Sequence, residues 1–180
     1  MADPPANYPR HLEQRLRLRD GTEITIRPIQ PEDAPRELAF VHALSNESRY
    51  FRFLDSLRDL SPQMLTHFTH IDYHNHLALV AVTGDDPAAV AQLAVARYVV
   101  DADMQGCEFA IVVADAWQGR GLATLLMNAL IAAARMRGVR RMYGDVLAAN
   151  HKMLALTKRL GFAACRHPDD PRIFRVEREL

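Results

Sequence analysis

Apolar and polar residues alternate over residues 16–19 and again over 23–27, with Asp20-Gly21 between the two runs. Alternation turns every second side chain to one face, and Asp-Gly suits a tight reversal, so the stretch predicts a hairpin or a broken first strand. Pro28 closes it, because proline has no N–H to donate onward. Pro31-Glu32-Asp33 has the form of a helix first turn, with acidic side chains at the positive end of the dipole. Leu38, Phe40, Val41 and Leu44 give that helix an apolar face. A second helix is expected over 45–53 with Ser45 as its cap, and a third from Ser61-Pro62 to about His70.

The pattern then changes. Residues 76–83 are almost continuously apolar, as in a strand covered on both faces. A turn at 84–87, a strand at 90–100 with Arg97 and Tyr98 towards its end, a turn at 101–106 and a strand at 108–113 read as an antiparallel meander. From Gly121 the period is helical: Leu122, Leu125, Leu126, Ala129, Leu130 and Ala133 form one stripe on a helix ending near Gly138. A strand at 139–147 follows. Asn150 then caps a shorter helix with Met153, Leu156 and Leu160 inward, and Gly161 ends it. Strands at 162–166 and 173–176 close the chain. A helix joining 108–113 to 139–147 implies that those two strands are parallel. The fold class is α+β: one domain with a mixed, mostly antiparallel sheet and helices on both faces.

Composition narrows the function classes. The chain has 180 residues, 49% of them hydrophobic and 24% charged, which suits one globular domain. Lys plus Arg and Asp plus Glu both number 22, so there is no basic excess to displace counterions, and no nucleic-acid partner is expected. No apolar run approaches the ~20 residues that span a bilayer, so no membrane partner is expected either. The first ten residues are Pro-rich and lack the apolar core of a secretory signal. Residues 1–15 are read as a flexible tail and 16–180 as the domain. Cys107 and Cys165 stand far apart, which fits reduced thiols in a cytoplasmic location and neither a disulfide framework nor a zinc site.

The chemistry concentrates in residues 113–124, where a strand ends, a loop passes Gly119 and Gly121, and the long helix begins. Glycines let backbone N–H groups approach a ligand, and a helix N-terminus adds unpaired donors and a positive dipole end. Together they suit an anion, most naturally a phosphate. A phosphate-binding P-loop needs a lysine after its last glycine, and none follows Gly121. A dinucleotide fingerprint needs Gly or Ala where Thr124 stands, and an acidic residue where Arg135, Arg137, Arg140 and Arg141 make the chain basic. The alternative is that the two glycines merely shape a turn.

The wider pattern resembles a known family. Gln118-x-x-Gly121-x-Ala123 is similar to the Q/R-x-x-G-x-G/A signature of the GCN5-related N-acetyltransferase (GNAT) superfamily. Asn150-x-x-Met153-x-x-Leu156-Thr157-x-Arg159-x-Gly161-Phe162 resembles its N-x-x-A-x-x-L-Y-x-K-x-G-F segment. Residues 25–29, Pro31-Glu32-Asp33, residues 48–53 and the Trp117-Gln118-Gly119-Arg120-Gly121 run resemble the catalytic domain of bacterial Pat-type protein lysine acetyltransferases. The resemblance covers residues 16–176 and implies a parallel strand pair splayed around a coenzyme cleft. It implies acetyl-CoA as co-substrate, no metal, and an acceptor amine that is most naturally a protein lysine. Backbone N–H groups of Gln118, Gly119, Arg120, Gly121, Leu122, Ala123 and Thr124 would hold the coenzyme pyrophosphate. The edge formed by Ile111, Val112 and Val113 would pair with the pantetheine amides, and Asn150 would bond the same arm. Glu108 occupies the place of the general base. Pat-type relatives often carry a regulatory domain, for which 180 residues leave no room.

Chemistry supports Glu108 independently. A lysine amine has a pKa near ~10.4 and must lose a proton before attacking a thioester, and a nearby carboxylate can take it. Glu108 sits in sequence among Phe109, Ile111 and Val113, so burial is expected to raise its pKa. The alternative is a glutamate on the solvent face of the strand, either solvated or paired with an arginine. Cys107 is a neighbour on the strand and is expected to face away. The family's tyrosine, which protonates the leaving thiolate, is replaced by Thr157, leaving water, Tyr143 or Tyr98 for that role. His67, His70, His74 and His76 cluster without a known ligand spacing. The arginines at 135–141 either attract an acidic group, such as the coenzyme 3′-phosphate, or solvate a helix end. Three functions remain open: acetylation of a protein lysine, acetylation of a small amine, and non-catalytic acyl-CoA binding.

Overall fold

The computed structural model describes residues 4–54, 60–84 and 90–180. The alternating runs form a hairpin of β1 (Gln14–Arg17) and β2 (Glu23–Pro28), with Arg17 opposite Glu23. The segment before it is not a free tail throughout. Tyr8 is buried, its hydroxyl donates to the Pro28 carbonyl at 3.3 Å, and its ring meets Tyr73 edge-on at 5.6 Å. The expected tail is thus corrected from Tyr8 onward: an aromatic ring with a backbone partner gains more by burial than by solvation.

Three helices follow: α1 (Ala34–Ala43), α2 (Asn46–Phe53) and α3 (Pro62–Thr69). Ser45 and Ser61 cap the second and third, each hydroxyl accepting from the N–H three residues on at 3.1 and 3.2 Å. The chain then enters β3 (His76–Thr83), β4 (Ala91–Val100) and β5 (Gly106–Val113), the expected meander. Beyond Gly84, the turn expected at 84–87 lies outside the described residues. The continuous apolar run of β3 has a simple cause. Leu77, Leu79 and Ala81 join one core, and Ala78, Val80 and Val82 join another on the opposite face.

After β5 come α4 (Leu122–Met136), β6 (Arg141–Leu147), α5 (His151–Arg159), β7 (Ala163–Arg166) and β8 (Ile173–Glu179). The strands form one eight-stranded sheet in the order β1-β2-β3-β4-β5-β6-β8-β7. All neighbours are antiparallel except β5 and β6, which the α4 crossover makes parallel. Residues of α4 and α5 pack into one core and those of α1 and α3 into the other, so the sheet is covered on both faces. Among the described residues no helix is long and apolar enough to cross a membrane.

Candidate active site

The parallel pair is short. Its register runs from Gly106 opposite Arg141 to Glu108 opposite Tyr143, and there the pairing stops. From that point β5 and β6 diverge, and a cavity of about 960 Å³ opens between β5, the head of α4, α5 and α2. The β4 ladder tells which β5 peptides face it. Asp101 N–H donates to the Gly106 carbonyl at 2.9 Å, and Ala114 N–H donates to Leu93 at 2.8 Å. Between those bonds the antiparallel register is unbroken, so residues 108, 110 and 112 bond to β4. Ile111 and Val113 therefore turn their peptide groups to the open side. Val112 does not: its peptide faces β4, and its side chain packs into the core beneath α1 and α3. Its expected pairing with a ligand is corrected accordingly, by strand alternation.

The loop after β5 is held in place from α2. Asp115 Oδ2 accepts from Ser45 N–H at 2.9 Å, and Oδ1 accepts from the Ser45 and Ser48 hydroxyls at 2.9 and 2.7 Å. Gln118 spans the cavity wall. Its amide nitrogen reaches Ser48 Oγ at 3.3 Å, and its Oε1 accepts from Lys152 Nζ at 3.0 Å. Gln118 N–H already donates to Asp115 at 3.3 Å, so the expected cradle starts one residue later. From Gly119 through Arg120, Gly121, Leu122 and Ala123 to Thr124, no backbone N–H has a protein acceptor among the described residues. Gly119 and Gly121 have φ of +77° and +87°, where other residues are strained, and a Cβ on either would meet nothing within 4 Å. The glycines therefore serve backbone direction. Six amides and a helix N-terminus without an acidic first turn make an anion cradle. The Arg120 side chain is turned elsewhere, to Asp20 at 2.9 Å and over the Trp117 ring at 4.6 Å.

Glu108 stands at the vertex of the splay. It lines a smaller cavity of about 220 Å³ with Arg52, Leu54, Ala110 and Asp145. Phe51, Arg52, Ile111, Asn150 and Met153 border both cavities. Solvent reaches the Glu108 carboxyl, but the cleft walls strip part of its hydration, and Asp145 adds a like charge. Both push its pKa upward, while Arg175, and more weakly Arg52, pull against them. The expected rise is present and burial is its first cause, but the groups that bury the carboxyl are not its chain neighbours. Phe109, Ile111 and Val113 point to the opposite face, into the core under α4. Asp145 is itself held by Arg175 through two hydrogen bonds of 2.9 Å.

The Acetyltransferase (GNAT) family matches the chain over residues 38–162. The chain belongs to this family. It is 40% identical to Acetyltransferase PA5475 of Pseudomonas aeruginosa over 153 residues, 85% of this chain and 82% of that protein. It is 34% identical to Acetyltransferase Pat of Mycolicibacterium smegmatis over 146 residues, 81% of this chain and 43% of that relative. The GNAT domain of S. lividans PAT superposes with a TM-score of 0.87 at 34% identity, covering 96% of this chain and 99% of that one. A cAMP-binding acyltransferase from Mycobacterium smegmatis gives 0.64 at 29% identity, covering 93% of this chain and 46% of that one. The chain thus spans less than half the length of these two mycobacterial proteins. As a GNAT acetyltransferase it takes acetyl-CoA as co-substrate and acts on an acceptor amine.

Other residues singled out in the sequence are engaged by their own neighbours or buried. Asn150 uses its Oδ1 to cap α5, accepting from Met153 N–H at 3.1 Å, although it also lines the cavity. Thr157 is buried and donates to the Leu154 carbonyl at 3.1 Å, so its hydroxyl serves its own helix. Tyr98 is buried in the α4 core. Tyr143 shares a register position with Glu108 but donates to Asp101 at 2.8 Å. Burial, and next that bond, push its phenol up to about 12. Cys107 is fully buried in the α4 core, and burial pushes its thiol up to about 12, far from a reactive thiolate. The basic cluster near residues 135–141 lies at the far end of α4, ~20 Å along the helix axis from Gly121. There Arg137 meets His74 at 2.5 Å, and Arg141 lies 3.9 Å from Asp101. The Lys and Arg side chains that do line the larger cavity are Lys152 and Arg159 on α5 and Arg52 on α2. His76 is buried against Arg97 at 3.3 Å, with its ring 5.3 Å from that of His67. Among the described residues no three His, Cys, Asp or Glu side chains converge as a metal site.

Proposed function

We propose that the chain transfers an acetyl group from acetyl-CoA to a lysine side chain of a protein, with Glu108 as general base. The observation that carries the reading is the junction of six unpartnered amides, residues 119–124, with a splayed strand pair whose vertex holds Glu108. The amides take the pyrophosphate. The open-side peptides of Ile111 and Val113 take the pantetheine arm as an added strand would. The acetyl group then lies where the two cavities meet. Glu108 removes a proton from the acceptor ammonium, directly or through one water. The neutral amine attacks the thioester carbonyl, and Ile111 N–H donates to the developing oxyanion. The C–S bond breaks as the attacking nitrogen gives up its extra proton to water, and the thiolate takes a proton from water, a modest demand since a free thiol has a pKa near ~8.5.

A protein acceptor is supported at the open end. Glu108 is exposed there, and so are two apolar neighbours: Leu54 in the same cavity and Val99, its register partner on β4. An apolar rim around a reactive carboxylate suits a docked chain more than a free polyamine. The similarity to Pat-type acetyltransferases points the same way. The test is thiol release from acetyl-CoA with a panel of lysine-bearing proteins and small amines. Protein acceptors are expected to turn over. Turnover of small amines alone would assign the other acceptor class. Glu108→Gln is expected to lower kcat/KM by about 10²-fold or more, and a variant as active as the parent removes Glu108 from the mechanism.

A further inference from the structure

We propose that Arg52 is a second counter-charge of Glu108 beside Arg175, a positioning residue that helps keep the base ionised while it waits in the cleft. The proposal rests on the reading of Glu108 as base, but its principal test does not use the reaction. Arg52 lies on α2, half-buried, and lines the smaller cavity together with Glu108. Its guanidinium carbon is 4.9 Å from the Phe53 ring centroid and 5.9 Å from that of Phe68, so the charge rests on aromatic faces. No hydrogen-bonded or ion-paired acidic partner holds it among the described residues.

Nearby charges are otherwise spoken for. Glu37 on α1 is buried and pairs with Arg97 of β4 at 3.2 Å, and it also accepts from Gln92. Asp145 of β6 is gripped by Arg175 of β8, and Asp101, in the turn before β5, accepts from Tyr143. Val99, opposite Glu108 on β4, carries no charge. The described groups acting on Glu108 are thus Asp145, Asp101, Arg175 and Arg52, and of the two cations only Arg52 lacks a carboxylate of its own among the described residues. A guanidinium stripped of water without compensation is costly, and among the described residues Glu108 is the one acidic group in the smaller cavity not already bound. Burial, and next the repulsion of Arg97, bring Arg52 down to about 10 against the attraction first of Glu37 and then of Glu108, which leaves it cationic at neutral pH. Its charge lowers the proton affinity of Glu108. It also disfavours the protonated form of an amine entering the same cavity. Both effects favour a neutral nucleophile facing an ionised base.

The direct measurement is a carbon-NMR titration of protein labelled at glutamate carboxyls, with Glu108 assigned by the signal lost in Glu108→Gln. Arg52→Gln is expected to raise the Glu108 midpoint by a few tenths of a pH unit, about 0.3 to 0.5. Arg52→Lys, which keeps the charge, is expected to hold the midpoint near the parent value. Arg52→Met supplies the uncharged measurement if the glutamine variant does not fold, since it keeps an apolar stem against Phe53. With an acceptor in hand, the acidic limb of kcat/KM is expected to move to higher pH by the same amount. A midpoint unmoved by loss of the charge, or moved equally by Arg52→Lys, overturns the proposal. If Glu108→Gln retains full turnover while Arg52→Gln still moves the midpoint, the base assignment fails and the charge pairing stands.

Discussion

At the residue scale, two positions that resemblance marks as functional behave differently. Glu108 presents its carboxyl to the cleft, whereas Thr157 turns its hydroxyl back to Leu154. Thr157 therefore does not replace the missing family tyrosine in kind, and the proposed mechanism gives the thiolate its proton from water. Thr157→Val, which keeps the shape and deletes the hydroxyl, is expected to leave kcat within about twofold and to cost about 1 kcal/mol of stability from the lost helix bond. Steady-state kinetics and denaturant unfolding check the two halves, and a kcat falling tenfold or more restores Thr157 as the acid. Glu108 itself was legible from its place ten positions before Gln118. Its surroundings were not, because chain neighbours suggested an apolar nest. Alternation sends Phe109, Ile111 and Val113 to the far face, so the burial that first raises its pKa comes from the cleft walls, with Asp145, Arg175 and Arg52 among the charges acting on it. Those partners come from β6, β8 and α2, and no local pattern announces them.

At the element scale, what was readable was what is local. Ser45, Ser61 and Asn150 each cap the helix that follows, because a cap depends only on an N–H a few residues on. The crossover from β5 through α4 to β6 was readable too, since a helix between two strands forces them parallel. The length of that pairing was not. It ends after the Glu108–Tyr143 register pair, and the next β6 residue, Gly144, lies tight against β5. A Cβ there would stand 3.0 Å from the Phe109 carbonyl oxygen and 2.9 Å from its ring. Backbone on one side and a core ring on the other cannot both retreat. Gly144→Ala is thus expected to prise the strands apart at the vertex, costing about 1–3 kcal/mol and lowering kcat/KM about tenfold by displacing Glu108 from the cleft. Denaturant unfolding together with kinetics tests this. An alanine variant of parental stability and activity shows that the vertex is not sensitive to strand spacing.

At the scale of the whole molecule, the short parallel contact joins two groups of strands. One is β1 to β5 with α1–α4, and the other is β6 to β8 with α5. A ligand entering the splay touches both, meeting Ile111 and Val113 on one side and α5 on the other. Coenzyme A is therefore expected to stabilise the molecule as a bridge as well as an occupant. At a hundred times its Kd it should add ~2.7 kcal/mol, visible as a rise in Tm. Hydrogen exchange resolves the same event by residue. The N–H groups of Ile111, Val113 and residues 119–124 lack protein acceptors on the open side, so they should exchange fast in the free protein and slow on binding. Val112, which is bonded to β4, should be protected in both states and serves as the internal control. Protection that spreads evenly over the sheet would mean general tightening. Protection absent from residues 119–124 would place the diphosphate elsewhere and remove the cradle on which the donor half of the reaction is built.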